Sequence, residues 1–574
     1  MLKRLWLALT VLALIAAACG GTSDDAETAE PTDATAEDTG DDTGDGGGAE
    51  EAETAPDTPA SDDIAPLEDE EQITSSGEGG AAAAGDPVAG GEITWGLTND
   101  GTGFDTTGAV APGSIRVIGA LTDPLAGLND QGQWEPFLAE AITPNDDFTA
   151  WTITLRDGPT FHDGEPVDGP AVAANLQAFK DSPTAGFTFA SVTDIAVVDD
   201  LNVEVSMSAP WATFPFSLVN QPGWMVSPST IGNNDTFTGT GPFMLESWTP
   251  NDGARVVRNP NYWQEGLPYL DAINFKFLVE QTVKRQAFDA GDIEGYISPG
   301  DEDILDFLED DNADVWIGEA GANEVLFVLN TANPPFDDLR VRQAMAYGLD
   351  RQFIIDTFRS GLTRPADGPI HPSSQWFAPT DYPDFDPERA AALVAEYEAE
   401  NGPIEFTMSH EPNPAVVETI DLAISFWNDA GIDVTRSEIG LGQSAITGVT
   451  DAFEAIFWIQ FGGPDPDSLY QFFHSSGGIL NWSNLVSEQI DEGLDIGRNN
   501  EDPAARLAGY TLFQEALAEE LPMIWLDHLN GIESAVTIPT LHGIGAKGEL
   551  PSGNPGIGMT NGSFFAWNGV WLEQ

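Results

Sequence analysis

Glu324-Val-Leu-Phe-Val-Leu-Asn330 runs into Pro334-Pro335 and then into Asp337-Asp338-Leu-Arg-Val-Arg-Gln-Ala-Met345. Five apolar residues in succession, Val325 to Leu329, suit a strand covered on both faces of its sheet. The prolines turn the chain. Asp337 or Asp338 then caps a helix in which Val341, Met345, Leu349 and Phe353 recur every four residues on one face. Downstream, Asp386-Pro387-Glu388 supplies a cap, a first-turn proline and a first-turn acid for a helix over Arg389–Glu400. Ile404–Met408 alternates apolar and polar as a half-buried strand does, and a helix from about Ala415 to Asp429 follows. Ala455–Ile459 reads as another buried strand. Strands and helices alternating through 320–460 predict an α/β lobe with a partly parallel sheet.

Upstream the pattern changes. Trp151-Thr-Ile-Thr-Leu155 alternates, Asp157-Gly158 turns, and Phe161–Pro166 turns again. Asp168 is placed to cap a helix that starts around Pro170, and Val203 and Val205 mark a further short strand. No internal repeat of 20–50 residues is visible. The body from about Gly91 to Gln574 is long enough for two or more lobes with full cores.

The N-terminus carries an address. Lys3 and Arg4 precede an apolar run, Leu5 to Ala18, and small residues Ala16-Ala17-Ala18 stand before Cys19, the chain's single cysteine. The arrangement is similar to a bacterial lipobox, with Ala16 where leucine is usual, and that resemblance implies lipidation at Cys19. The competing reading is an ordinary secretory signal followed by an incidental cysteine. Residues 20–90 then hold 22 Asp and Glu, no Lys or Arg, and almost no large apolar side chain. Such a segment cannot offset its ordering entropy by burial. It reads as a flexible tether with a span of roughly 45 Å, stretched further by its charge. Two or three acyl chains would anchor it stably.

Composition excludes several classes. With Lys3, Arg4 and the 22 tether acids set aside, the body has 18 basic against 73 acidic residues, a balance of −55. That is no footprint for nucleic acid. Solubility, as in a saline setting, explains even acidity better than a cationic ligand does. The six histidines, at 162, 371, 410, 474, 528 and 542, are not at metal-ligand spacing, so no metal or other cofactor is expected. There is no G-x-S-x-G elbow and no Walker loop.

Several segments together resemble the extracellular solute-binding proteins of ABC importers, family 5, which bind oligopeptides, dipeptides and nickel. The segments are Thr154-Leu-Arg-Asp-Gly158 with Phe161-His-Asp-Gly-Glu-Pro-Val167; Gly239-Thr-Gly-Pro-Phe243; Asn259-Pro-Asn-Tyr-Trp263 with Gly266, Pro268-Tyr-Leu-Asp271 and Ile273; and Asn330, Pro335-Phe336, Asp338, Arg340-Val-Arg-Gln-Ala344 with Asp350-Arg351. The resemblance implies an α/β, two-lobe, periplasmic-binding-protein-like (type II) fold with a hinged cleft and an extra subdomain in the first lobe. The expected organisation is a signal peptide at 1–18 and a tether at 19–90. Lobe I would cover 91–318, with 527–574 returning to it, and lobe II 319–526. These motifs are read as scaffold. His162 braces its turn, Gly239 and Gly241 allow backbone angles that other residues resist, and Tyr262 and Trp263 cover a core edge. Arg340 and Arg342 make helix-surface ion pairs.

The ligand is argued elsewhere in the chain. In the family a strand-to-loop segment of lobe II lies over the cleft, and here it is Trp458-Ile-Gln-Phe-Gly-Gly-Pro-Asp-Pro466. Many peptide binders carry an aspartate in this segment that holds the peptide α-amino group. Gly462 stands in its place, unless Asp465 or Asp467 substitutes. Trp458, Gln460, Phe461 and Gly462 are therefore candidate contacts, with aromatic faces suited to rings or apolar side chains. Asn481 and Trp482, in a loop that resembles the family's N-W-S-N segment, are further candidates. Phe104 and Asp105, on the entry strand, and Trp224 would come from the first lobe. Core packing is the alternative for each aromatic. The expected function is capture of an oligopeptide or similar solute for a membrane permease by a lipid-anchored monomer that does no chemistry. An oligosaccharide is the second choice and nickel a lesser one. A surface glycoside hydrolase using Asp465 and Asp467 is the remote one.

Overall fold

The computed structural model describes residues 86–98, 103–108, 112–233, 236–298, 301–308, 312–316, 323–359, 363–440, 443–463, 465–529, 534–544, 550–552 and 567–573. The signal segment, Cys19 and the tether lie outside the described residues.

The first large sheet has seven strands in the order Asp314–Trp316, Ala535–Thr537, Gly295–Ile297, Glu92–Leu97, Ala272–Phe277, Gly253–Arg258 and Phe243–Thr249. Its centre is parallel, where Glu92–Leu97 pairs with Ala272–Phe277 and Gly295–Ile297, and its flanks are antiparallel. Trp95, Phe275 and Trp567 meet edge to face in its core. Beside it stands an antiparallel four-stranded sheet, Ala139–Pro144, Ala150–Leu155, Asn202–Met207 and Val192–Asp199. Trp151, Ile153, Leu155, Val203 and Val205 point from it into a separate core. The helix Gly169–Lys180 starts where expected, with the Asp168 side chain accepting from Ala171 N–H at 2.9 Å.

The third sheet is the one read first from sequence. Its six strands run Arg364–Pro365, Met523–His528, Asn323–Leu329, Ala455–Phe461, Glu405–His410 and Asp433–Glu438. The last three are mutually parallel and the others antiparallel. All seven residues of Asn323–Leu329 are buried. Helices Pro387–Asn401 and Pro414–Asp429 pack on it. Asp386 caps the first of these through Arg389 N–H at 2.9 Å. The chain passes between the two large sheets between Trp316 and Asn323 and again between His528 and Ala535. Asp527 and His528, assigned from sequence to the return into the first lobe, still pair in the six-stranded sheet.

Three sequence expectations change. The helix after Asp338 is two helices, Leu339–Tyr347 and Arg351–Phe358, broken at Gly348-Leu349. Asp350 caps the second through Phe353 N–H at 2.9 Å, and this restart turns Phe353 outward, 52% exposed. Gly239 and Gly241 do not have unusual backbone angles; a Cβ would fall 1.9 Å from Leu121 O at the first and 2.5 Å from the Leu121 carbonyl carbon at the second. Close approach, not φ, requires glycine at both. Arg340 does pair on the surface with Asp338 and Glu400, but Arg342 is buried and donates to the carbonyls of Phe336 and Glu520.

Candidate ligand-binding site

Strand register assembles a row of polar groups at one end of the six-stranded sheet. Gln460 stands opposite Glu324, Glu324 opposite His528, and His528 opposite Arg364. Residues in register share a face, so the four side chains lie side by side across four strands. Gln460, Glu324 and His528 are 1%, 0% and 2% exposed. Two residues back along its strand, Trp458 shares the face with Gln460. All of these sit beside the places where the chain leaves for the other large sheet.

Glu324 is the unusual member. His528 Nδ1 lies 3.3 Å from its Oε1, and Oε2 has no partner among the described residues. Burial pushes the Glu324 carboxyl well above the usual carboxylate range. The same burial lowers His528 to about 3, helped by the charges of His371, Arg364 and Arg351. A neutral acid beside a neutral imidazole is the resulting state. The His371 ring meets His528 edge to face at 4.9 Å. Burial, then Arg364, holds His371 at about 4.

The sequence-selected residues separate into groups. Trp458 is half-buried and meets Trp482 edge to face, centroids 4.6 Å apart. Trp482 is buried and Gly448 presses on its ring. Asn481 braces its own loop, donating to Leu485 O at 2.9 Å and accepting from Ser483 Oγ at 2.9 Å. Phe461 ends the strand opposite Asn323, and Gly462 follows, partly exposed. In the first lobe, Phe104 packs in the core against Trp248 and Phe237, and Trp224 is buried in the same core. Asp105 closes a turn by accepting from Thr107 N–H and Oγ at 2.8 and 2.7 Å. Among the described residues these three do not join the polar row.

Asp465 and Asp467 are taken by arginines. Arg506 Nη2 lies 2.5 Å from Asp465 Oδ1, both side chains buried. Arg498 Nε lies 2.6 Å from Asp467 Oδ1, and Trp211 Nε1 donates to its Oδ2 at 2.8 Å. Neither acid is left to act as an acid–base pair or to replace the amine anchor. Trp211 belongs to the core of the four-stranded sheet, so this contact also ties that sheet to the lobe of the six-stranded one. Ala212 N–H to Arg498 O at 3.0 Å runs beside it. Among the described residues no group of three or more His, Cys, Asp or Glu is placed to hold a metal ion. No helix of the described residues is long and apolar enough to cross a membrane.

Known proteins carry the same scaffold. The profile of the bacterial extracellular solute-binding proteins, family 5 (middle region), matches residues 133–481. The chain belongs to this family. The glutathione-binding protein GsiB of Escherichia coli (strain K12) is 25% identical over 432 residues, covering 72% of this chain and 84% of that protein. The periplasmic binding protein DppA of Helicobacter pylori, solved with the peptide STSA, superposes with a TM-score of 0.72 at 20% identity, over 85% of this chain and 99% of that one. The binding protein AgaA of A. tumefaciens R10, solved with agropinic acid, gives a TM-score of 0.73 at 23% identity, over 84% and 99%. The fold is therefore the two-lobe type II periplasmic-binding-protein fold. The family 5 chain is a solute-binding component of an ABC importer and not an enzyme.

His528, His371, Glu324 and Arg364 were missed from sequence. A glutamate opening a run of five apolar residues was the one visible signal. The histidines are far apart in the chain, and only strand pairing brings them to it.

Proposed function

We propose that this chain captures a peptide-like solute between its lobes and presents it to a membrane permease, acting as a monomer moored outside the membrane by lipid on Cys19. The observation that carries the reading is the buried row Gln460–Glu324–His528, with half-buried Arg364 at its end, beside the crossovers. Hydrogen-bonding groups of both signs there suit a ligand with amide, amine and carboxylate groups. Binding would shift the lobes toward closure and leave the solute unchanged. The glutathione and peptide ligands named for the relatives above agree with this class. An oligosaccharide is the second reading, favoured by the half-buried face of Trp458 next to Gln460.

Mass spectrometry of solute retained by the natively purified chain tests this, followed by small-angle scattering with short peptides and with cello-oligosaccharides. Peptide-dependent compaction is the expected result. Compaction with saccharides alone would replace the peptide reading, and none with any solute would remove both. Metabolic labelling with palmitate should mark the wild type and not the Cys19→Ala variant.

A further inference from the structure

Buried acids in this protein follow a rule that one of them breaks. Asp465, Asp467 and Asp527 each hold an arginine, Arg506, Arg498 and Arg359 respectively. Asp123 takes two aromatic donors, Tyr262 OH at 3.0 Å and Trp263 Nε1 at 2.7 Å. Glu324, fully buried, has among the described residues one long contact to an imidazole and a bare Oε2. Leaving a buried carboxyl oxygen without a donor costs stability. A bare oxygen alone does not set Glu324 apart, since Asp465 Oδ2 and Asp527 Oδ1 are also without a partner among the described residues; those two carboxylates each hold an arginine on the other oxygen, and Glu324 holds only the imidazole.

His371 adds a second unmet group. Its Nδ1 accepts from Ser373 N–H at 3.1 Å, so the neutral ring carries its proton on Nε2. That Nε2 is buried and has no partner among the described residues. The two unmet groups belong to one cluster, since His371 packs on His528 and His528 on Glu324.

We infer that Glu324, set between Gln460 and His528, is the anchor for the α-amino group of a peptide-like ligand, the task for which position 462 offers only glycine. The inference rests on the peptide reading above. An arriving ammonium returns the carboxyl to its ionised form, its proton leaving to solvent, so the buried pair is neutral in sum. Arg364, at the far end of the row, repels the amine and so directs it to the Glu324–Gln460 side.

The test uses the full chain, equilibrium dialysis and mass spectrometry. A pool of random tetrapeptides with free amines is compared with the same pool N-acetylated. The wild type should retain the free-amine pool about tenfold to hundredfold better, the range for a buried charge-assisted hydrogen bond. Glu324→Gln should lose that preference, and Glu324→Asp should keep part of it. Thermal melts establish that each variant is folded. Equal retention of both pools by the wild type overturns the anchor while leaving the peptide reading standing. So does an undiminished preference in a folded Glu324→Gln variant. Retention of cello-oligosaccharides and of neither peptide pool overturns the peptide reading itself, and the anchor with it. Should Glu324→Gln not fold, the wild-type comparison and Glu324→Asp decide.

Discussion

His162 earned its place in the sequence reading as a brace, and the structure gives it two partners. Its Nδ1 accepts from Gly239 N–H at 3.2 Å, and its Nε2 faces Gly241 O at 3.1 Å. One ring thus joins the Phe161–Pro166 turn to the glycine turn that lies against Leu121. Burial lowers its pKa from 6.5 to about 4. The folded state keeps it neutral while the unfolded chain takes a proton below 6.5. Its contribution is therefore complete above pH 6.5 and is lost as pH falls toward 4. A His162→Asn variant should be less stable than wild type at pH 7. The gap should then narrow by up to about 1.4 kcal/mol per pH unit between 6.5 and 4, read from urea melts at several pH values. A gap that does not change with pH would mean the imidazole takes up its proton in the fold as readily as in the unfolded chain. Gly448 makes a steric counterpart. A Cβ there would lie 2.3 Å from the Trp482 ring, in the helix Ser444–Val449. Gly448→Ala should cost about 1–3 kcal/mol by overpacking and should disturb Trp458, which rests on Trp482. Denaturant melts and tryptophan emission would register both effects. His162 was legible because its motif names the turn. Glu324 was not, because its neighbours come from residues about 140 and 200 positions away, and only register reveals them.

At the scale of elements, propensity and capping were good guides wherever the chain carries its own punctuation. Asp168, Asp386 and Asp338 each cap the helix that follows them. The alternation in Trp151–Leu155 and the apolar run in Val325–Leu329 became a half-buried and a fully buried strand. The break at Gly348 was hidden because apolar spacing of four runs straight through it. Contacts between elements left no local trace at all. Trp211, at the end of the four-stranded sheet, reaches Asp467, which stands after the strand Ala455–Phe461. Arg498 lies between Trp211 and Tyr470, 4.8 and 3.6 Å from their ring centroids. This contact favours the arrangement in which the subdomain and the second lobe touch. Trp211→Phe removes the indole N–H, keeps most of the packing and leaves Asp467 its arginine. The lost hydrogen bond to a charged group is worth about 1.5–3 kcal/mol. The scattering radius should rise in the absence of ligand, and ligand affinity should fall by about tenfold or more through the smaller competent fraction. An unchanged radius and affinity would mean the contact does not bias lobe closure.

For the molecule as a whole, charge is the dominant unbalanced quantity. The chain has 95 acidic and 20 basic residues. The bases are largely committed: Arg255 to Glu92 and Glu246, Arg258 to Asp271, Arg285 to Asp289 and Asp306, Arg436 to Asp421. Exposed pairs of this kind contribute little each, about 0–1 kcal/mol. Most acids have no cation to meet, so the compact state carries repulsion that the expanded chain relieves. Salt acts on both terms. Raising it weakens the few attractive pairs and the many repulsive ones, and the second set is far larger. Screening shortens from about 10 Å at 0.1 M to about 3 Å at 1 M. The melting temperature should therefore rise by several degrees over that interval in sodium chloride, with most of the gain at the low end. Sucrose, which does not screen, separates this from general solute exclusion. A melting temperature that falls with salt would show that the ion pairs outweigh the repulsion, and the acidity would then need a different physical role.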